Sequence, residues 1–147
     1  MSLIETGIDQ VLKNDIYTSE CFLGVFARDE LPIQPAYPSC LVFNTMPRSN
    51  SGEHWLALYY NENGECDFFD SYANSAETYR LTTYLDRTSN SWKGNTKRIQ
   101  GLSQYCGYYV ILFLILRVRS RTLKFFQYFD GNLAKNDKKI KALIDEF

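Results

Sequence analysis

The stretch GYYVILFLILRV, Gly107 to Val118, decides how this chain is read. Tyr108 to Leu116 is an unbroken apolar run that stops at Arg117. It is too short for a bilayer, which needs about 20 apolar residues, so no membrane span is expected. A helix that is apolar all round must be wrapped by the rest of its chain, and the run predicts a buried central helix. Cys106 stands at the mouth of that helix, and Gln100 precedes it by six residues.

Outward from this helix the pattern becomes short and mixed. Thr96 to Gln100 reads as a short strand, and Thr88 to Asn95 as a loop. Asn74 and Glu77 can cap a helix from about Ser75 to Asp86. His54 to Tyr60 and Glu65 to Asp70 read as a hairpin that turns near Asn63-Gly64. Cys40 to Asn44 and Phe22 to Ala27 read as further strands. At the N-terminus, Ser2 and Glu5 form a capping box ahead of Ile4, Ile8, Val11 and Leu12 at helical spacing. At the other end, Ile140, Leu143, Ile144 and Phe147 mark an amphipathic helix packed on the outside. The expected fold class is α+β: a small, mostly antiparallel sheet flanked by helices, with the central helix starting at Cys106.

Composition bounds the partners. The chain has 147 residues, 45% hydrophobic and 22% charged. That suits one domain over residues 1–147 with a core that needs no staples. Sixteen Lys and Arg against 17 Asp and Glu leave a net charge of −1, which argues against strong whole-molecule attraction to nucleic acid. The single histidine excludes a metal site built on two or three histidines, and no metal is expected. Cys21, Cys40, Cys66 and Cys106 form no C-x-x-C pair. Their spread suggests reduced thiols in a cytosolic or nuclear setting, and Met1 to Gln10 does not read as a signal peptide. An intracellular monomer, not secreted, is expected.

Four residue types in the order His54, Asp70, Gln100, Cys106 suggest a cysteine-nucleophile site. Each alone is weak, because a lone histidine, a strand-end aspartate or a cysteine entering an apolar helix is usually structural. Together they meet what attack on a carbonyl requires. The helix start and a neighbouring imidazolium would favour the Cys106 thiolate. His54 would take the thiol proton and later give one to the leaving amine. Asp70 would fix the imidazole tautomer. The Gln100 amide and the Cys106 N–H would stabilise the oxyanion. Gly107 leaves room for a substrate backbone. Gln104 is a rival donor, but it lies too near the nucleophile. Strand parity leaves a choice of acid. A three-residue loop, Glu62-Asn63-Gly64, with Gly64 in the left-handed conformation puts Asp70 on the His54 side, whereas a two-residue turn puts Asp67 there. Cys21, Cys40 and Cys66 read as gap fillers.

The constellation resembles the adenovirus-type (adenain-like) cysteine endopeptidases, within the superfamily of SUMO- and ubiquitin-like-protein proteases. The matching stretches are FLGVF (22–26), CLVFNT (40–45), GEHWLA (52–57), FFDS (68–71), and Gln100-Gly101 through Cys106-Gly107. The resemblance implies a thiol endopeptidase with His54, Asp70 and Cys106 as triad and Gln100 in the oxyanion hole. It implies that Trp55 shields the imidazole and walls a groove for extended segments with glycine near the scissile bond. It further implies viral precursor polypeptides as substrates, a virion and host nucleus or cytoplasm as location, and DNA or a peptide as activator. No cofactor is required for the chemistry itself. No cysteine lies between Ser71 and Ile99, which argues against a disulfide-linked activating peptide. Asp rather than Glu at the acid position follows the cellular branch, and the chain looks like a compact version of the family.

Arg117, Arg119 and Arg121 form a basic cluster that would make a modest, salt-sensitive DNA contact. Two other functional classes share these residues: a deconjugase acting after the terminal glycine of a ubiquitin-like modifier, and a non-catalytic interaction module on a protease fold.

Overall fold

The computed structural model describes residues 5–47 and 54–146. Ser2 and Ile4 of the expected N-terminal helix, Gly52-Glu53 of the motif stretches, and Phe147 lie outside them.

Five strands form one mixed sheet in the order β1-β2-β3-β4-β5. They are β1 (Phe22–Phe26), β2 (Ser39–Asn44), β3 (Trp55–Tyr60), β4 (Glu65–Phe69) and β5 (Ser91–Gly94). The expected class, α+β with helices around a small sheet, is observed. The central pairs β2–β3 and β3–β4 are antiparallel, but β1–β2 and β4–β5 are parallel. "Mostly antiparallel" is therefore corrected to mixed. The physical reason is the connections. A parallel pair needs a crossover, and residues 70–90, which include helix α2 (Thr82–Thr88), supply one between β4 and β5.

The strand expected at Thr96–Gln100 does not form, and the stretch read as a loop holds β5 instead. SWKG has no apolar alternation, so nothing in its pattern announced it. As an edge strand, mostly exposed, it has no second face to bury. The helix expected over Ser75–Asp86 is broken in two. A 3-10 turn at Ala76–Tyr79 ends at Arg80 in the left-handed conformation (φ 57°), and α2 starts beyond it.

The hairpin has the three-residue loop. Tyr60 pairs with Cys66, the Asn61 N–H reaches the Glu65 carbonyl at 2.9 Å, and Gly64 takes φ +76°. Glycine suits this corner twice over, because a Cβ there would meet the Tyr37 ring at 2.5 Å and Asn90 Nδ2 at 2.7 Å.

Each sheet face is covered. Leu41, Phe43, Leu56, Leu58, Tyr60, Cys66 and Phe68 pack with Ala76, Leu81 and Leu85 on the α2 side. Cys40, Val42, Ala57 and Phe69 face the central helix α3 (Cys106–Val118). Every residue of α3 from Cys106 to Ile115 is buried, as its sequence requires. Around it lie α1 (Glu5–Asn14), α4 (Thr122–Tyr128) and α5 (Leu133–Ile144), which contribute Ile8, Leu12, Phe125, Ile140 and Ile144. Phe113 stacks on Phe69 with centroids 4.4 Å apart, fixing α3 against the sheet.

Candidate active site

Antiparallel pairing brings the start of β3 and the end of β4 to the same end of the sheet. His54 and Asp70 sit just beyond those two strand ends, on the same face by parity. His54 Nε2 donates to Asp70 Oδ1 at 2.7 Å. The pair is buried, with His54 8% exposed and Asp70 0%. Asp67, the rival acid, is paired opposite Tyr59 on the other face and holds Arg117.

Asp70 is fully engaged. Oδ1 also accepts the Tyr72 N–H at 3.0 Å, and Oδ2 accepts the Tyr79 hydroxyl at 2.6 Å and the Asn74 N–H at 3.1 Å. Its main chain is clamped by one side chain: Asn95 Oδ1 accepts the Asp70 N–H at 2.9 Å and Asn95 Nδ2 donates to the Asp70 carbonyl at 2.8 Å. Burial alone would raise this carboxyl, but the hydrogen bonds from His54 and Tyr79 hold it below the ordinary carboxylate range.

Burial would likewise lower the imidazole. The hydrogen bond with Asp70 and the neighbouring Cys106 side chain outweigh it, and His54 is pushed up to about 9. With Nε2 given to Asp70, Nδ1 is left for the sulfur. Cys106 opens α3 and is buried, 6% exposed. The first N–H groups of a helix have no partner within it, so the sulfur sits among donors.

Gln100 is fully buried. Its Oε1 accepts the Ser71 hydroxyl, and its Nε2 donates to the Ser103 carbonyl at 2.9 Å. The Ser71 carbonyl receives the Ile99 and Gln100 N–H groups at 3.0 and 3.2 Å. Helix α5 holds the next residues. Asn136 Nδ2 donates to the Ile99 carbonyl at 3.1 Å, and the buried Asp137 carboxylate accepts the Gly101 N–H at 3.1 Å and the Tyr109 hydroxyl at 2.6 Å. The segment leading to Cys106 is therefore tied to β4 and to α5. Gln104 is exposed.

Trp55, expected to shield the imidazole, instead packs with the α3-side cluster, as the alternation of a strand dictates one residue after His54. The ring on the imidazole is Tyr72, stacked at 4.5 Å between centroids and 19° between planes. The roles of Tyr72, Tyr79, Asn95 and Asp137 were not read from sequence. Only the closeness of Tyr72 to Asp70 in the chain could have flagged one of them. Asn74, expected to cap a helix, bonds Asp70 and Tyr79 instead, and Ser75 takes the cap.

Gly107 is buried in the first turn of α3. The basic cluster is largely spent within the molecule. Arg117 holds Asp67 and lies over the Tyr59 ring, while Arg119 holds Asp15 at 2.7 and 2.9 Å; Arg121 is exposed. All four cysteines are free thiols, with Cys21 and Cys40 sulfurs 3.7 Å apart. Among the described residues no cluster of three His, Cys, Asp or Glu side chains could hold a metal, and no helix is long and apolar enough to cross a membrane.

This architecture is similar to that of a solved protein with the ULP- and adenain-like cysteine protease fold. Among solved structures that match is ChlaDub1 from Chlamydia trachomatis, with a TM-score of 0.51 and 13% sequence identity over 74% of this chain. The match covers 58% of the ChlaDub1 chain. At that identity the likeness speaks to fold and not to adenain in particular. No family model and no curated protein matches the sequence.

Proposed function

We propose that the chain is a thiol hydrolase of peptide or isopeptide bonds. The observation that carries this reading is one buried imidazole bonded to Asp70 and raised by the neighbouring Cys106 side chain at the start of α3. His54 moves the thiol proton from Sγ and returns it to the leaving nitrogen while Sγ bonds the carbonyl carbon. Water then displaces the sulfur, and His54 serves as base. Asp70 holds the imidazole by Nε2. The N–H groups at the start of α3 and one Gln100 amide hydrogen, turned from the Ser103 hydroxyl, receive the oxyanion, the other hydrogen staying on the Ser103 carbonyl. Trp55 and Gly107 border the path of an extended, glycine-containing segment.

Two substrate readings share this machinery. Endoproteolysis, including maturation of viral capsid and core precursors, draws its support from the sequence resemblance alone. Deconjugation is supported by the fold shared with ChlaDub1, whose name marks a deubiquitinase.

A panel of glycine-containing peptides and of ubiquitin-like fusions, offered to the full chain, tests both. Turnover of one class is expected, with Cys106→Ala reducing it on the order of 10⁴-fold or more. Undiminished turnover by Cys106→Ala would remove the proposal.

A further inference from the structure

Among the described residues, one cation at the site has no acidic partner. Arg98 is exposed, three residues past the Asn95 clamp, and its Nε donates to the Gln100 carbonyl at 2.8 Å. Its guanidinium carbon lies 5.1 Å from the centroid of the Tyr72 ring. The same ring is stacked on the His54 imidazole, 4.5 Å between centroids. Imidazole, phenol and guanidinium thus form a column from the reacting centre to solvent. Nε and the stack fix the plane of the guanidinium, while its two terminal nitrogens carry no bond among the described residues. The buried carboxylates of the region cannot serve it: Asp70 is spent on His54, Tyr72, Asn74 and Tyr79, and Asp137 on Gly101 and Tyr109. A guanidinium held flat with its outer edge open is the fork that binds a carboxylate with two parallel hydrogen bonds.

We infer that Arg98 is a specificity determinant that takes an acidic side chain of the substrate. This rests on the hydrolase reading above. The column sets the guanidinium about three residues of extended chain from the reacting carbonyl. An Asp or Glu at that remove from the scissile glycine is the recognised feature. The pair is partly solvated, so the preference is on the order of threefold to fivefold.

The test measures the rate at which peptidyl Michael acceptors ending in glycine modify Cys106, read by mass spectrometry so that no turnover is needed. Probes carry Glu, Gln or Lys, scanned over the positions flanking the warhead, and iodoacetamide serves as a small control. In the unaltered chain the Glu probe should react fastest and the Lys probe slowest at one position. With each probe rate divided by the iodoacetamide rate of the same variant, Arg98→Gln should level the series and Arg98→Glu should invert it. An unaltered chain with no Glu preference at any position overturns the inference. So does an order that survives Arg98→Glu. A Glu preference at Cys106 without hydrolysis of any peptide or fusion would instead count against the hydrolase reading alone.

Discussion

At the scale of single residues, the site is governed by one charge pair. His54 is raised from its ordinary 6.5 to about 9, so its bond to Asp70 stabilises the folded chain fully below pH 6.5. That contribution is lost as pH rises through 9. A melting series from pH 6 to pH 10 should therefore show falling stability, by at most about 3 kcal/mol from this group. Asp70→Asn removes the main cause of the rise and should flatten the slope; an identical slope would show that the pair is not the source. His54, Cys106 and Gln100 were legible because chemistry restricts which residue types can occupy those places. The choice of Asp70 over Asp67 was not, since it depends on whether one turn holds two residues or three. The rings and amides around Asp70 were hidden for a different reason: a tyrosine hydroxyl or an asparagine amide has many structural uses, and only folding shows which one it serves.

Among the elements, the hairpin loop sets the register that puts Asp70 on the imidazole side. Gly64 sits at φ +76° with the Tyr37 ring and Asn90 against its α-carbon. Gly64→Ala combines backbone strain with a clash, and should cost about 2 kcal/mol in denaturant unfolding. A loss below a few tenths would mean that the loop relaxes without penalty. The hairpin and α3 were readable because their patterns are strong: alternation across an Asn-Gly corner, and an apolar run with no polar face. The edge strand β5 and the break at Arg80 were not. An edge strand in which only Trp92 packs on the core leaves no alternation to read, and a left-handed arginine closes the 3-10 turn, with its N–H given to the Ala76 and Glu77 carbonyls, a place that glycine usually takes.

Over the whole molecule, two arginines of the basic cluster, Arg117 and Arg119, are paired with buried or half-buried acids of the same chain. Arg119 bridges the end of α3 to Asp15, just after α1, and the same contact holds the Asp15 carboxyl down at about 2 against the effect of burial. Arg119→Glu should destabilise the fold by about 1–2 kcal/mol in thermal or denaturant unfolding. It is therefore a poor probe of DNA contact. Arg121→Glu, exposed, is the clean one. Should the basic cluster contact DNA, that variant lowers affinity at low salt without moving the melting temperature. No measurable binding by the unaltered chain at low salt would end the idea.

Asn95 offers Asp70 the donor and acceptor that one more residue of β5 would have offered. A single amide thereby closes the final rung of the sheet, and the backbone is released from strand geometry at that point. The freed chain can turn and deliver Ile99 and Gln100 to Ser71. Turn length between positions 95 and 99 is thus uncoupled from the placement of the acid. Homologues with insertions there should keep an amide at the first of these positions, and those lacking it should show a longer fifth strand.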